Sequence, residues 1–483
     1  ASVCRYNNYS LDEQADVEDL AAEHCNVING ELAISNTVTS VRELVNITTV
    51  GKVKITGLTS DYIEGVLNIT NITGDGLFIF GNEALTNLDF LSNLSSAGTN
   101  LSIQQNPSLT NVNGLSKLGS LSGFLFMYDN TSLNNLDGLA NITDIGSHLS
   151  LIGNDALTSL RGLDNVTSVG GYLRIENNGA LVSLRGLDTL TTIGGHAEIV
   201  KNNVLTSLDG LSNVTSIGQY LLINDNDALV SLNGLNSLVS IGDTLGIDQN
   251  EAVGDNLLII NNAALVSLEG LENLVHVPWN LQISGNSALT TIKGLNNLRS
   301  VGHSVFISYN NALANLKGLD NLSSIGQDLN IQQNPSLTNV DGLDSLTHVG
   351  WTALLFKNEA LNNLDGFASL SYVGYDLALD TNSVLSNCQG IAPVLGWPVG
   401  YPEDGTGNLF LSFRNANGCN SAGEILASVS GPTKPSISNA IVDGGGGIQL
   451  EFEPSTSPDR PFPITDYKSL CVARTEVSES TDT

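Results

Sequence analysis

The sequence predicts an all-β fold, a right-handed single-chain β-solenoid with coils of about 24 residues. The first observation is a row of fourteen asparagines at this spacing, with one half-period step from Asn250 to Asn262. The second is the alternation of apolar and polar residues before each asparagine, and the third is a pair of glycines at fixed places in the period. Such a strict period is typical of stacked repeats. The asparagines are Asn82, Asn106, Asn130, Asn154, Asn178, Asn202, Asn226, Asn250, Asn262, Asn286, Asn310, Asn334, Asn358 and Asn382.

Each coil is expected to hold one main strand. In a representative coil, Leu173 and Ile175 alternate with polar residues, which indicates a half-buried strand. Leu181, Ser183 and Leu184 suggest a second short extended side. The two glycines are predicted at corners, where a positive φ suits glycine best. They recur as Gly146, Gly170, Gly194, Gly218 and Gly242, and as Gly138, Gly162, Gly186, Gly210 and Gly234.

The asparagine row has a structural explanation. Each asparagine follows a predicted strand, and its amide carries both hydrogen-bond donors and acceptors. At a strand spacing of about 4.8 Å, stacked amides can satisfy the turn backbone and one another. We therefore predict an internal ladder and assign these residues no chemistry.

The repeat resembles two related families. Leucine-rich repeats also carry an L-x-L-x-x-N strand, but here the pattern I-x-x-x-L-x-I-x-x-N-x-x-L is longer on each side of the strand. It is more similar to the receptor L domain, a β-helical module of insulin- and growth-factor-receptor ectodomains and of fungal cell-wall proteins. The segment Cys25–Ile34 also looks like the first coil of that family. The resemblance covers roughly residues 20–420 and implies an extracellular module.

Composition excludes several partner classes. The chain of 483 residues has a net charge of −31 and only 18 lysines and arginines. Nucleic acid and anionic membrane surfaces are therefore not expected partners, because both need basic patches. No apolar run approaches the length of a transmembrane helix. The N-terminal segment has no charged and apolar leader, so we interpret it as a mature end after signal removal.

Five cysteines indicate capped ends and an oxidising compartment. Cys4 and Cys25 precede the first coil, and Cys388 and Cys419 follow the last. A solenoid must seal its open ends, so we predict one disulfide within each pair. Cys471 is left over and is expected to pair beyond this chain or with another molecule.

Asparagine sequons indicate a glycoprotein with a glycan row along one edge. Six of them share one coil position, just before the first glycine corner. Asn130 also begins a sequon, but its place in the ladder predicts a buried amide without sugar. The shared-edge residues are Asn46, Asn93, Asn141, Asn165, Asn213 and Asn321, and the other candidates are Asn8, Asn68, Asn71 and Asn100.

Four regions are predicted. Residues 1–28 form an N-terminal cap with a short helix within Leu11–His24. Residues 29–384 form the solenoid, and residues 385–429 form a C-terminal cap. Residues 430–483 are similar to the first strands of a fibronectin type III domain, because residues 448–452 alternate between apolar and polar side chains and prolines follow. That sandwich needs roughly 90–100 residues, so the chain is expected to continue beyond Thr483.

The half-period step predicts an insertion. Ile241-Gly242 and Val253-Gly254 are equivalent corners, so residues 243–254 should form an inserted half-coil that locally disturbs the rod. Its carboxylates could coordinate a hard cation such as Ca²⁺, although it contains no EF-hand or nonapeptide motif.

Two sets of outward residues are candidate interaction sites. The first is an aromatic ridge, directly before the inward strand residues of five coils. It is either packing between neighbouring rings or a strip that binds sugar or a partner, and its histidines lie too far apart to share one metal ion. The second is an apolar strand face. Contiguous exposed apolar surface usually marks an interface, and the alternatives are a covering loop or tolerated exposure. The ridge is Phe124, His148, Tyr172, His196 and Tyr220, and the face includes Phe78, Phe80, Phe126, Tyr128, Leu258, Ile260, Phe306, Leu354 and Phe356.

Evidence for catalysis is slight. No nucleophile elbow, phosphate loop or zinc-protease motif occurs. Arg174, Glu176, Glu198 and Lys201 come nearest to the clusters that β-helical polysaccharide enzymes need, and a salt-bridge ladder explains them better. The sequence favours a non-catalytic structural glycoprotein, a rigid rod of a cell-surface layer, matrix or extracellular filament. The alternatives are an adhesion or receptor ectodomain and, third, a carbohydrate-active enzyme.

Overall fold

The computed structural model describes residues 2–242, 255–395 and 410–429, and the backbone of two further strands. It divides into two units, Ala1–Ser428 and Val429–Thr483. The first unit is a β-solenoid of parallel stacked coils with about 24 residues each, as predicted.

One long parallel sheet runs through the first unit. It contains 18 strands, and all but the short strand Ser96–Ala97 lie in a single stack. With neighbouring strands about 4.8 Å apart, the stack is roughly 75 Å long. The strands of this main sheet are Tyr9–Leu11, Val27–Ser35, Thr49–Thr56, Asn71–Phe80, Ser96–Ala97, Asn100–Gln104, Leu125–Tyr128, Leu149–Ile152, Leu173–Glu176, Ala197–Val200, Leu221–Asn224, Asp255–Ile260, Asn280–Ser284, Val305–Ser308, Leu329–Gln332, Ala353–Phe356, Leu377–Asp380 and Phe410–Phe413.

The core is a column of leucine, isoleucine and valine inside the coils. Leu173 and Ile175 point inward from the main sheet, and Leu181, Leu184 and Leu187 close the same coil from the other sides; all five are fully buried. Full burial of one such side chain contributes about 1.5–3 kcal/mol. Repetition of this layer in every coil makes the core continuous along the unit.

The second extended side is not where the sequence suggested. Residues 181–184 form no strand. The short strands instead lie just before the first glycine corner, where they form two further parallel sheets of five strands each. Short 3₁₀ turns follow the asparagine in five coils, at Asp89–Leu91, Asn113–Leu115, Asp137–Leu139, Asp365–Phe367 and Gln389–Ile391. The short strands are Asp144–Ile145, Ser168–Val169, Thr192–Ile193, Ser216–Ile217 and Ser240–Ile241 in one sheet, and His276–Val277, Ser300–Val301, Ser324–Ile325, His348–Val349 and Tyr372–Val373 in the other.

The asparagines form the expected internal ladder, with one correction: Asn226 pairs directly with Asn262, where the sequence had placed Asn250 between them. Asn178 is fully buried, and its Oδ1 accepts the backbone N–H of Asn154 at 3.0 Å. Its Nδ2 donates to the Leu151 carbonyl at 3.0 Å and to Oδ1 of Asn202 at 3.2 Å. Asn415, which the period did not reveal, accepts from Asn382 in the same way, and its own N–H donates to Oδ1 of Asn420 at the end of the ladder.

The two rows of glycines differ in backbone conformation, although both allow close approach of successive coils. Gly162 and Gly186 do adopt positive φ values, of 105° and 113°. Gly170 and Gly194 do not have positive φ values, so the conformation predicted for them from the sequence is wrong. A Cβ on Gly170 would lie 2.2 Å from the carbonyl oxygen of Gly146, and one on Gly194 would lie 2.1 Å from that of Gly170. These glycines therefore permit close approach of successive coils.

A second left-handed corner was not predicted from the sequence. It lies at the residue just before each ladder asparagine, and most of these residues are not glycine. Asn177, Lys201 and Asp225, for example, have φ values of 54°, 56° and 55°. Left-handed conformations cost non-glycine residues energy, and the buried amide that follows each corner offsets that cost.

The predicted insertion, residues 243–254, lies outside the described residues, as does Asn250. The coils on either side stack on each other directly, because strand Leu221–Asn224 pairs with residues 257–260. The main sheet is therefore continuous at this point. The short strands are interrupted, since Ser240–Ile241 ends one five-stranded sheet and His276–Val277 begins the other.

Both ends of the solenoid are closed by a helix and a disulfide. The disulfide Cys4–Cys25 and the helix Gln14–Ala22 cover the first coil, and Val17 and Leu20 of this helix are buried. The disulfide Cys388–Cys419 lies at the other end, with the helix Ala422–Ser428. Both predicted pairings are confirmed in the structure, and they are consistent with an oxidising compartment.

The described part of the second unit is one antiparallel hairpin. Its strands are Ile437–Val442 and Ile448–Phe452. The alternating segment is thus a strand, as predicted, while the remainder of the fibronectin-like segment lies outside the described residues.

Candidate functional site

The aromatic ridge is a ladder of stacked rings on the main sheet. Successive ring centroids of His148, Tyr172, His196 and Tyr220 are 3.9, 4.8 and 4.5 Å apart, and the rings are within 13° of parallel. Phe124 is half-buried on the preceding coil, and its N–H donates to Oδ1 of Asn100 at 3.0 Å. Because each ring covers the next, the ladder presents ring edges to solvent. A sugar would need an open ring face, so this geometry favours ring packing over sugar binding here.

The local sequence explains why the rings can stack. A Cβ on Gly171 would lie 2.2 Å from Nδ1 of His148, so a glycine before Tyr172 leaves room for the imidazole. Nδ1 of His148 accepts the Tyr172 N–H at 3.1 Å. Burial lowers the pKa of His148, and the nearby His196 lowers it further. His148 is therefore suited to a neutral imidazole that accepts this hydrogen bond.

A charged cluster lies beside the ladder, on the outward side of two adjacent strands. Nε of Arg174 donates to Glu176 at 2.7 Å and lies 3.4 Å from a carboxylate oxygen of Glu198. The other oxygen of Glu198 accepts the Tyr220 hydroxyl at 2.5 Å, and Nε2 of His196 lies 3.8 Å from it. Burial and this carboxylate raise the pKa of Tyr220. Both carboxylates are thus engaged, which suits a bridge between coils better than acid–base chemistry.

A shallow depression adjoins this cluster. Its volume is about 480 Å³, and it is open to solvent. Arg174 and Lys201 bring positive charge to it, while Glu176 and Asp129 bring negative charge. The lining residues are Tyr128, Asp129, Ile152, Gly153, Arg174, Glu176, Asn177 and Lys201. A mixed lining of this kind fits a polar ligand or a partner side chain.

The apolar strand face is present, but its side chains are mostly half-buried. Phe80 and Tyr128 are the most exposed members, at 38% and 37%. The ring of Tyr128 stacks on that of Phe126 at 6.1 Å, and Leu258 lies opposite Leu222 on the neighbouring strand. The other members, Phe78, Ile260, Phe306, Leu354 and Phe356, also point outward and are half-buried.

Lysines cover part of this apolar face. The ammonium groups of Lys52, Lys54 and Lys357 lie 5.0, 5.3 and 5.0 Å from ring centroids of the face. Contacts of this kind attract a cation to the ring. The face is therefore amphipathic, with apolar clusters separated by polar and charged side chains.

The sequon row lies along one edge, as the shared register predicted. Asn141, Asn165, Asn213 and Asn321 are exposed, whereas Asn46 and Asn93 are half-buried. Each exposed member donates one Nδ2 hydrogen to a backbone carbonyl of the preceding coil, at 2.6–2.7 Å. The second Nδ2 position remains for a glycan.

The remaining sequon asparagines lie in different environments. Asn68 joins the edge row, because its Nδ2 donates to the Val45 carbonyl at 2.7 Å in the same manner. Asn8 and Asn71 are exposed. The half-buried Asn100 donates from Nδ2 to the Asp75 carbonyl and accepts the Phe124 N–H at Oδ1. Asn130 is fully buried in the ladder.

A second aromatic row was not predicted from the sequence. It occupies the position just after the glycine corner, one residue before the ridge position, in the coils beyond the insertion. Trp351 and Tyr375 are 51% and 60% exposed, and their rings lie 6.4 Å apart at 55°. Trp279 and His303 pair at 4.2 Å on earlier coils. The 24-residue spacing of these rings was the available signal.

Metal binding finds little support among the described residues. Their single cluster of three potential ligands is Cys4, Glu23 and Cys25, and both sulfurs are in a disulfide. Glu23 accepts hydrogen bonds from Tyr9 and Arg5. The candidate Ca²⁺ site in residues 243–254 and the unpaired Cys471 lie outside the described residues.

Comparison with protein-family models and with curated proteins found no match. None of the helices in the described part of the chain is long and apolar enough to cross a membrane.

Proposed function

We propose that this chain is a non-catalytic secreted structural glycoprotein, the rigid rod of a cell-surface layer, matrix or extracellular filament. The observation that carries the proposal is the uninterrupted main sheet, closed at each end by a helix and a disulfide. Continuous backbone pairing and a continuous core resist bending, and the closed ends hinder uncontrolled end-to-end growth through open strands.

The outward face of the main sheet is the proposed surface of self-association. It carries apolar clusters, whereas the sequon edge would carry bulky sugars and could not pack tightly. A net charge of −31 opposes association over the whole surface. We therefore place the contact at the apolar clusters that lysines border, because the positive lysine side chains weaken the repulsion between two acidic chains there.

The test places charges on this face. Phe126→Glu, Ile260→Glu and Phe356→Glu together should release subunits and leave the fold intact, since all three side chains point outward. The matched control is Asn203→Glu, Ser287→Glu and Asn311→Glu, which adds the same charge at exposed positions in the turns that follow the main strands. Analytical ultracentrifugation and electron microscopy measure assembly, and circular dichroism measures folding. Equal association of the two variants would contradict the proposal.

The alternative is an adhesion or receptor ectodomain, as the resemblance to receptor L domains implies. It is favoured by the depression around Arg174 and Lys201, which offers a defined place for a polar ligand. A wild-type protein that stays monomeric at high concentration would favour this alternative. A carbohydrate-active enzyme is the third candidate, and the engaged carboxylates Glu176 and Glu198 weaken it.

A further inference from the structure

The second aromatic row is interrupted at one coil. The row runs through Trp279, His303, Gln327, Trp351 and Tyr375, whose backbones are linked coil to coil. The N–H of Gln327 donates to the His303 carbonyl at 2.8 Å, and that of Trp351 donates to the Gln327 carbonyl at 2.9 Å. Gln327 thus leaves a gap between two pairs of rings.

The coil with the gap is the coil that carries a sequon. Asn321 begins Asn321-Leu322-Ser323 on the edge, six residues before Gln327. Along the solenoid, a sequon at the edge and an aromatic ring at this position do not occur in the same coil. Coils with an edge sequon have small or polar residues at this position, namely Gly51, Asp75, Thr99, Ser147, Gly171, Gln219 and Gln327. Coils with a ring there have edge residues that begin no sequon, namely Asn273, Asn297, Ser345 and Ser369.

Between Asn321 and the gap the chain runs through Ser323 and Ser324, and the exposed His348 lies beside Ser324 on the coil of Trp351. Asn321 is exposed, and one Nδ2 hydrogen donates to the Asn296 carbonyl at 2.6 Å. A glycosylated amide keeps one hydrogen, so this contact can survive modification and hold the base of the glycan at the edge of the coil. Ser324, three residues or about 10 Å along the chain, is small and has Ser300 beside it.

Trp351 offers an open ring face next to this path. It is 51% exposed, and its tilt of 55° to Tyr375 leaves the indole unstacked, unlike the parallel rings of His148 and Tyr172. The face of an aromatic ring is electronegative, and the C–H groups on one side of a pyranose are its natural partner.

We propose that the N-glycan of Asn321 folds along the corner into the gap at Gln327 and packs its outer sugars on the indole of Trp351. The contact shields an exposed tryptophan and holds the glycan against the rod. This inference rests on the proposed glycoprotein character of the chain.

The test uses the secreted full chain from a glycosylating host. Glycopeptide mass spectrometry first establishes sugar on Asn321. Acrylamide quenching of tryptophan fluorescence is then compared between the wild type, Asn321→Gln and Ser323→Ala, both of which prevent the modification. We expect the quenching constant to rise when the glycan is lost, because a ring face of one of the three tryptophans becomes open. Asn165→Gln is the control, since Ser147 and Gly195 occupy the ring positions on the coils beside it.

The Trp351→Phe background assigns the signal. There, loss of the Asn321 glycan should leave the quenching constant unchanged. A bare Asn321 would overturn this inference and weaken the glycoprotein proposal as well. Sugar on Asn321 with unchanged quenching, or a change that persists in Trp351→Phe, would overturn only the glycan–tryptophan contact.

Discussion

Asn226 and Asn262 are adjacent members of the asparagine ladder, although 36 residues separate them. The N–H and Nδ2 of Asn226 both donate to Oδ1 of Asn262, at 3.1 and 3.3 Å. The next contact across the same step, from the Val266 N–H to the Val230 carbonyl, is also regular at 3.0 Å. The coils therefore stack without help from the extra twelve residues, the difference between a step of 36 and the usual 24.

The insertion should be dispensable for folding. Deletion of residues 243–254 joins Gly242 to Asp255 and restores the I-G-x-x-L pattern with Leu257. We expect a folded protein whose melting temperature stays within about 3 °C of the wild type, because no ladder contact is lost. Circular dichroism with thermal melting measures it.

A deletion of equal length elsewhere is the control. Removal of residues 289–300 takes half a regular coil and would turn inward leucines toward solvent. That variant should lose cooperative unfolding. If the deletion of residues 243–254 behaves like this control, the insertion is part of the stack.

The buried ladder should be costly to break. Asn178→Ala removes the acceptor for the Asn154 N–H and the donors to the Leu151 carbonyl and Asn202 Oδ1. Water cannot replace them at a fully buried site, and each lost partner costs about 1–3 kcal/mol. We expect a loss of about 3–5 kcal/mol in the free energy of unfolding.

Chemical denaturation of that variant should be set beside Asn203→Ala. Asn203 is exposed on the next coil, and its replacement should change the free energy of unfolding by less than about 0.5 kcal/mol. Similar values for the two variants would mean that the ladder amides contribute little.

The coil period and the internal ladder could be predicted because each leaves a residue type at a fixed spacing, and both disulfides could be predicted because the cysteine pairs flank the first and last coils. Features that depend on backbone geometry could not. The left-handed corner before each ladder asparagine is occupied by residues as different as Lys201 and Asp225, so no residue type marks it. Asn415 follows Asn382 by 33 residues, and a period of 24 cannot find it.

The candidate sites were predicted less completely for a related reason. The 24-residue spacing predicted that His148 and Tyr172 lie in one row, but it did not predict that their ring faces stack on each other. Spacing also left Asn68 out of the sequon edge, because irregular early coils shift its register. Trp351 and Tyr375 stand in a row of mixed residues, where the repeat gives a weak signal.

An ion pair at the C-terminal cap should make stability depend on acid pH. Nε and Nη2 of Arg414 donate to the two carboxylate oxygens of Asp380, at 3.0 and 2.7 Å. The hydrogen bonds from Arg414 hold the pKa of Asp380 below its ordinary value of 3.8. A lowered pKa in the folded state stabilises the fold above the unfolded value, and this contribution is lost as the pH falls through the folded pKa.

Arg414→Gln should therefore lower the melting temperature slightly near neutral pH. Its difference from the wild type should shrink below about pH 4 and vanish once the Asp380 carboxylate of the folded protein is protonated. Arg299→Gln, at an exposed arginine within the solenoid, is the control for the loss of one charge. A difference that stays constant from neutral to acid pH would show that the Asp380 carboxylate is not responsible.

The last prediction separates the sequon edge from the ladder. Asn165 is exposed and gives one Nδ2 hydrogen to the Ala140 carbonyl, so its second position can carry sugar. Asn130 is fully buried, and its two Nδ2 hydrogens go to the Ile103 carbonyl and to Asn154 Oδ1, at 2.9 and 3.0 Å. A glycan there would break the ladder and find no space. Site-by-site glycopeptide mass spectrometry should find sugar along the edge row and none on Asn130. Sugar on Asn130, or a bare edge row, would mean that the inner and outer sides of the coil are wrongly assigned.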